Sequence, residues 1–121
     1  MRFEGHGFQV ASGDLWLCLG GVAEDFILSI KELEGNFSLL SKNKSSDRCL
    51  GPFRMLIFDP TEPHVVGFLA TVLEALAEAD VPIMAYSSYH RDYVLVPSDK
   101  VDEAISSLEK KGFRFRGEID L

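Results

Sequence analysis

The sequence predicts an α+β fold in which a β-α-β-β-α-β unit follows a β-rich, helix-poor first third. Three observations predict it. Two segments, near residues 62–79 and 99–111, repeat apolar residues at helical spacing. Short β-branched and aromatic runs flank each of them, and the run Met84–Val96 reads as two strands folded about a polar bend. Residues 1–51 hold apolar runs punctuated by glycine and show no helical period.

In chain order, Gly7–Ala11 is a first strand candidate, ended by Ser12-Gly13. Asp14–Leu19 is a continuous apolar run of the kind buried on both faces, stopped by Gly20-Gly21. Ile27–Ser41 reads as a hairpin, with the turn at Glu34-Gly35-Asn36. Lys42–Gly51 has the composition of an exposed loop. Phe53–Asp59 is the best central strand, and Asp59-Pro60 ends it because proline cannot donate to a ladder.

Helix one is expected from Glu62 or His64 to Ala79, with Thr61 as N-cap and Pro63 in the first turn. Its predicted stripe is Leu69, Val72, Leu73, Leu76 and Ala77. Met84–Ser88 and Tyr93–Val96 form the hairpin around Tyr89-His90-Arg91-Asp92. Helix two is expected over Asp99–Lys111, striped by Val101, Ala104, Ile105 and Leu108, and capped by Ser98 or Asp99. Gly112 is the expected glycine beyond its end, and Phe113–Glu118 is a last strand. From Phe53 onward this is the ferredoxin-like order, dividing the chain into 1–51 and 52–121. The first part extends that sheet or forms a degenerate second copy of the unit.

Composition narrows the function. The chain has 121 residues, 46% of them hydrophobic, with nine phenylalanines, which fits a folded domain rather than a disordered segment. A net charge of −7 disfavours nucleic acid and anionic membrane as partners, because both need clustered cations. No apolar run approaches the ~20 residues needed to span a bilayer, and the N-terminus lacks the apolar core of a signal peptide. A soluble cytoplasmic protein is the expectation. Cys18 and Cys49 lie in no C-x-x-C pattern; Cys18 reads as a small buried hydrophobe. A disulfide between them is open, with a reducing compartment favoured.

Two stretches carry a family resemblance. One is V-V-G-F-L-A-T-V-L-E-A-L-A-E-A-D-V-P-I, Val65 to Ile83; the other is Y-S-S-Y-H-R-D-Y-V-L-V, Tyr86 to Val96. They resemble the ACT domain family, in the branch of aspartokinase regulatory domains and cytosolic arginine sensors. That branch shows S-T-Y-x-T-D-Y-[IL]-L-V at the second stretch. Ser87, Tyr89, Asp92, Tyr93, Leu95 and Val96 match it, while Ser88 and Arg91 stand where threonines are usual. The segment F-I-L-S-I-K-E-L-E-G-N-F-S-L-L extends the likeness into the first third. The resemblance implies two ACT-like halves, the first short of helix. It also implies a non-catalytic module binding a small molecule, most simply an amino acid, at an interface in a homodimer.

By position, the implied site joins Asp59, His64, Val65, Val66, Gly67 and Phe68 to Ser87, Ser88, Tyr89 and Asp92. The backbone of Val66, Gly67 and Phe68 would take a ligand carboxylate at the positive helix end. Ser88, Tyr89 and Asp92 would read its ammonium or side chain. Plainer readings stand beside these. Gly67 also serves as a close-packing residue, Asp92 as a turn residue or an ion-pair partner of Arg91, and the tyrosines as packing. Ser87 and Ser88 lack a G-x-S-x-G context, so a hydrolase is the weaker alternative. His6, His64 and His90 have no metal-ligand spacing, and no phosphate-binding glycine loop occurs, so neither metal nor cofactor is expected. An interaction module that has lost its ligand is the other alternative.

Overall fold

The computed structural model describes residues 2–62 and 64–121; Pro63, expected in the first turn of helix one, lies outside them. The described residues form β1 (Gly7–Ala11), β2 (Leu15–Leu19), β3 (Phe26–Lys31), β4 (Phe37–Ser41), β5 (Cys49–Phe58), α1 (Phe68–Glu78), β6 (Met84–Ser87), β7 (Asp92–Pro97), α2 (Val101–Lys110) and β8 (Arg114–Ile119). The α+β class and the ferredoxin-like order from β5 onward are those the sequence predicts. The residues group into two compact units, Met1–Ser12 with Arg54–Leu121, and Gly13–Phe53.

In the first unit the strands run in the order β8-β1-β5-β7-β6. Strand β1 lies between the two strands that a plain ferredoxin-like sheet would place side by side. It pairs antiparallel with β5 (Phe8 opposite Phe58) and parallel with β8 (Gly7 opposite Arg114). The sequence division at 51 and 52 therefore differs from these units at the N-terminal strand. Pairing partners far along the chain place that strand, and no local signal carries them.

The core is built from inward residues of β1, β5 and β7, meeting one stripe from each helix. Phe8, Val10, Leu56, Phe58, Val94 and Val96 face Phe68, Val72, Ala75 and Leu76 of α1, with Ala104 and Leu108 of α2. Burying each such side chain contributes about 1.5–3 kcal/mol relative to exposure. The stripe of α2 is the predicted one. In α1 the predicted Val72 and Leu76 are buried and Leu69 and Leu73 pack against the core, but Ala75 is buried while the predicted Ala77 is exposed.

The helix start differs from the expected one. Helix α1 begins at Phe68, not at Glu62 or His64, and its N-cap is Gly67 at φ 91°, not Thr61. A residue with that φ is outside the helical region, so the regular helix begins after it. The Phe68 ring then anchors the first turn. Its centroid lies 5.2 Å from Phe3, 5.7 Å from Phe58, 6.0 Å from Phe113 and 4.7 Å from the His6 ring. Helix α2 also starts later than expected, after a 3-10 turn over Ser98–Lys100, and no side chain caps it.

Both helices end in the same way. Beyond α2, Phe113 N–H donates to Leu108 carbonyl and Gly112 N–H to Glu109 carbonyl, with Gly112 at φ 94°. This is a Schellman motif, with glycine where the sequence placed it. Beyond α1, Val81 bonds Leu76 and Asp80 bonds Ala77 in the same pattern, but Asp80 holds the left-handed position at φ 58°.

The second unit contains no helix among its described residues. Its strands follow the order β3-β4-β2-β5, all antiparallel. Strand β5 begins at Cys49, inside the predicted loop, because Cys49–Phe53 pairs with β2 despite Gly51-Pro52. Cys18 and Cys49 face each other in that pairing and form a disulfide, with Cα atoms 4.0 Å apart. The Cys49 sulfur also lies 3.1 Å from the Ser46 carbonyl, a contact rather than a hydrogen bond because a bridged sulfur carries no proton. The loop before β5 is tied down as well. Ser45 and Ser46 hydroxyls donate to the carbonyls of Gly20 and Leu19, and Lys44 Nζ sits 4.2 Å from the Trp16 ring.

Candidate functional site

Residues 59–62 and 64–67, between β5 and α1, form neither helix nor strand, and several of them lie opposite the tip of the β6–β7 hairpin. Between them lies a cleft of about 390 Å³, within the range usual for small-molecule sites. Thr61, Glu62, Val65, Gly67, Phe68, Leu69 and Ala70 form one wall; Ser87, Ser88, Tyr89, His90, Arg91 and Asp92 form the other. All of them belong to the unit of Met1–Ser12 and Arg54–Leu121.

The helix wall offers backbone donors. The first intrahelical bond runs from Thr71 N–H to Gly67 carbonyl, and the Thr71 hydroxyl donates to the same oxygen at 2.9 Å. The N–H groups of Phe68, Leu69 and Ala70 therefore have no partner within the helix. No side chain caps them, and no acidic residue stands in the first turn. The positive end of α1 is left to face the cleft.

The hairpin wall holds the side-chain chemistry. Ser87 pairs with Asp92 across the strands, and the Ser87 hydroxyl donates to the Asp92 carboxylate. Ser88 donates from both its N–H (2.9 Å) and its hydroxyl (3.1 Å) to the Arg91 carbonyl, which closes the bend. Tyr89 stands 96% exposed at the tip, with the His90 ring edge-on to it at 5.0 Å. Arg91 and Asp92 make no ion pair with each other, so the pair weighed from sequence does not form.

Seven predicted site residues line the cleft: Val65, Gly67, Phe68, Ser87, Ser88, Tyr89 and Asp92. Phe68 contributes backbone only, because its ring is in the core. Three lie outside it. Asp59 is paired with Arg116, and its carbonyl meets His6 Nε2 at 2.8 Å. His64 is exposed on the loop, and Val66 turns its side chain to solvent while its carbonyl accepts from Arg2 at 2.7 Å. Thr61, Glu62, His90 and Arg91 also line it and fall within the expected stretches Asp59–Phe68 and Ser87–Asp92, whereas Leu69 and Ala70 lie beyond them. The late helix start carries Leu69 and Ala70 into the wall, whereas Arg2 joins the loop with no sequence signal at all.

A larger groove, about 530 Å³, runs between the helix ends along Glu78, Asp102, Ser106, Ser107 and Lys111. Three of its polar groups are committed. Lys111 bridges Glu78 at 3.1 Å, and the Ser107 hydroxyl donates to the Ala75 carbonyl. Among the described residues no group of three His, Cys, Asp or Glu is placed to hold a metal ion.

Residues 55–110 match the family model described as ACT domain. The chain carries an ACT domain. Solved structures share its fold. A protein from Agrobacterium tumefaciens superposes with a TM-score of 0.79 at 14% identity, covering 95% of each chain. A Vibrio cholerae protein of unknown function, described as a possible transport protein, gives 0.74 at 19% identity over 88% of this chain and 89% of its own. The regulatory subunit of aspartate kinase from Thermus thermophilus gives 0.62 at 11% identity, over 85% and 95%. Among curated proteins, none matches the sequence. The match to the ACT domain supports a regulatory, ligand-binding module in general. No helix among the described residues is long and apolar enough to cross a membrane.

Proposed function

We propose that the ACT domain binds a free amino acid reversibly in the cleft between the start of α1 and the tip of the β6–β7 hairpin. The observation that supports this is the meeting of complementary charges across one small opening. Uncapped N–H groups at the positive end of α1 face the carboxylates of Asp92 and Glu62. The α-carboxylate would take the backbone of Gly67, Phe68 and Leu69, and Asp92 the ammonium. Ser88 acts as an acceptor only, since its protons are committed to Arg91. Tyr89, bare at the tip, would close over the ligand or meet a second copy in a homodimer.

This role is non-catalytic. The Ser87 hydroxyl donates to a carboxylate with no imidazole on it, and the His90 ring meets Tyr89 edge-on, so the lining residues of the cleft present no nucleophile–base pair. We place the protein in the cytoplasm. There the burial of Cys18 would shield one sulfur of the disulfide from thiol reductants, while the half-buried Cys49 leaves the other more open to attack. Counting free thiols in protein alkylated at lysis tests that placement.

A thermal-shift screen of the twenty amino acids tests the ligand. A binder at 100 times its Kd adds about 2.7 kcal/mol, roughly ten degrees for a chain of this size. The same shift must vanish in Asp92→Ala with the apo fold intact. A flat screen would instead favour an interaction module without a ligand.

A further inference from the structure

Strand β3 is an edge with an unusual surface. It pairs only with β4 among the described residues, and five of its six residues are exposed. Phe26, Ile27 and Ile30 are among the exposed apolar side chains. An edge of this kind is a template for another strand.

The backbone shows which groups are offered. Glu32 N–H donates to the Asn36 carbonyl, so Glu32 turns its polar groups toward β4. In an antiparallel ladder that orientation alternates, so Ile30 and Leu28 do the same. Ser29 and Lys31 therefore turn their N–H and C=O groups to the open edge.

We propose that β3 pairs antiparallel with β3 of a second copy of this chain, about a two-fold axis at Leu28. This register sets Leu28 against Leu28, Phe26 against Ile30 and Asp25 against Lys31, the last two pairs occurring twice. Odd residues then face odd residues, so Ser29 and Lys31 meet Ile27 and Asp25 of the second copy, beyond the bulge between Phe26 and Leu28. The shift that puts Ser29 on the axis sets Phe26 against Glu32 and Ile27 against Lys31. Charge and apolar matching thus select one register, and opposite charges directly across a ladder support it. The inference rests on the homodimer proposed above and names the surface that makes it.

The test is the solution mass of the full chain, 13.5 kDa as a monomer, by light scattering across a dilution series. The wild type should run at twice that mass. Ser29→Pro removes an outward donor that β4 does not use, and Ile30→Lys charges the contact. Each should weaken the dimer at least tenfold while circular dichroism stays unchanged. Asp25→Lys and Lys31→Asp should each weaken it too, and the double exchange should restore it. A dimer indifferent to all four changes would overturn this surface while leaving the homodimer standing. A monomeric wild type would overturn both. If a β3 variant fails to fold, the charge exchange decides alone, because Asp25 precedes β3 and Lys31 is its last, exposed residue.

Discussion

Asp80 holds a left-handed backbone at the end of α1, where a side chain costs energy that glycine does not incur. Asp80→Gly is expected to raise stability by about 0.5–1 kcal/mol in urea denaturation. Gly112 occupies the equivalent place after α2 at φ 94°, and a Cβ there would run into the Glu4 carboxylate. Gly112→Ala should cost about 1–2 kcal/mol in the same assay. The pair was unevenly legible. A glycine after a helical stripe announces its own role, as Gly112 did, whereas an aspartate in that conformation looks like any polar residue before Val81-Pro82. The hairpin residues were legible as a motif, yet Ser88's bonds to Arg91 depend on the closed bend and appear only in three dimensions.

At the scale of the element, α1 decides the site. Its start was misplaced in sequence because Thr61 resembles a cap and the residues after it are apolar enough to continue the stripe. The Phe68 ring wins that competition by entering the aromatic core, with Gly67 turning the chain into it. The free first turn that results carries a prediction of opposite signs. Ala70→Glu supplies the acidic residue this turn lacks, so it should stabilise the fold by about 0.3–1 kcal/mol. The same carboxylate would occupy the positive end of α1 and repel a ligand's own, so amino-acid binding should fall at least tenfold. Thermal melts and calorimetric titration of one variant check both signs.

For the whole molecule, the order of elements was readable because each helix carries one stripe and each strand is bounded by turn residues. The position of β1 between β5 and β8 was not, since it depends on pairings remote in sequence. The Cys18–Cys49 bridge was left open for the same reason: with β5 taken to start at Phe53, Cys49 fell in a loop, and nothing set it opposite Cys18. The bridge closes a sequence separation of 31 residues. On chain-entropy grounds its reduction should cost about 2–4 kcal/mol, seen as a lower urea midpoint with dithiothreitol than without.

The ligand site itself is tested most directly by following backbone amide resonances while titrating the amino acid that gives the largest thermal shift. Binding in the cleft predicts saturable changes concentrated at Gly67–Ala70 and Ser87–Asp92, lost in Asp92→Ala. Changes confined to the groove between the helix ends, or scattered without saturation, would contradict it.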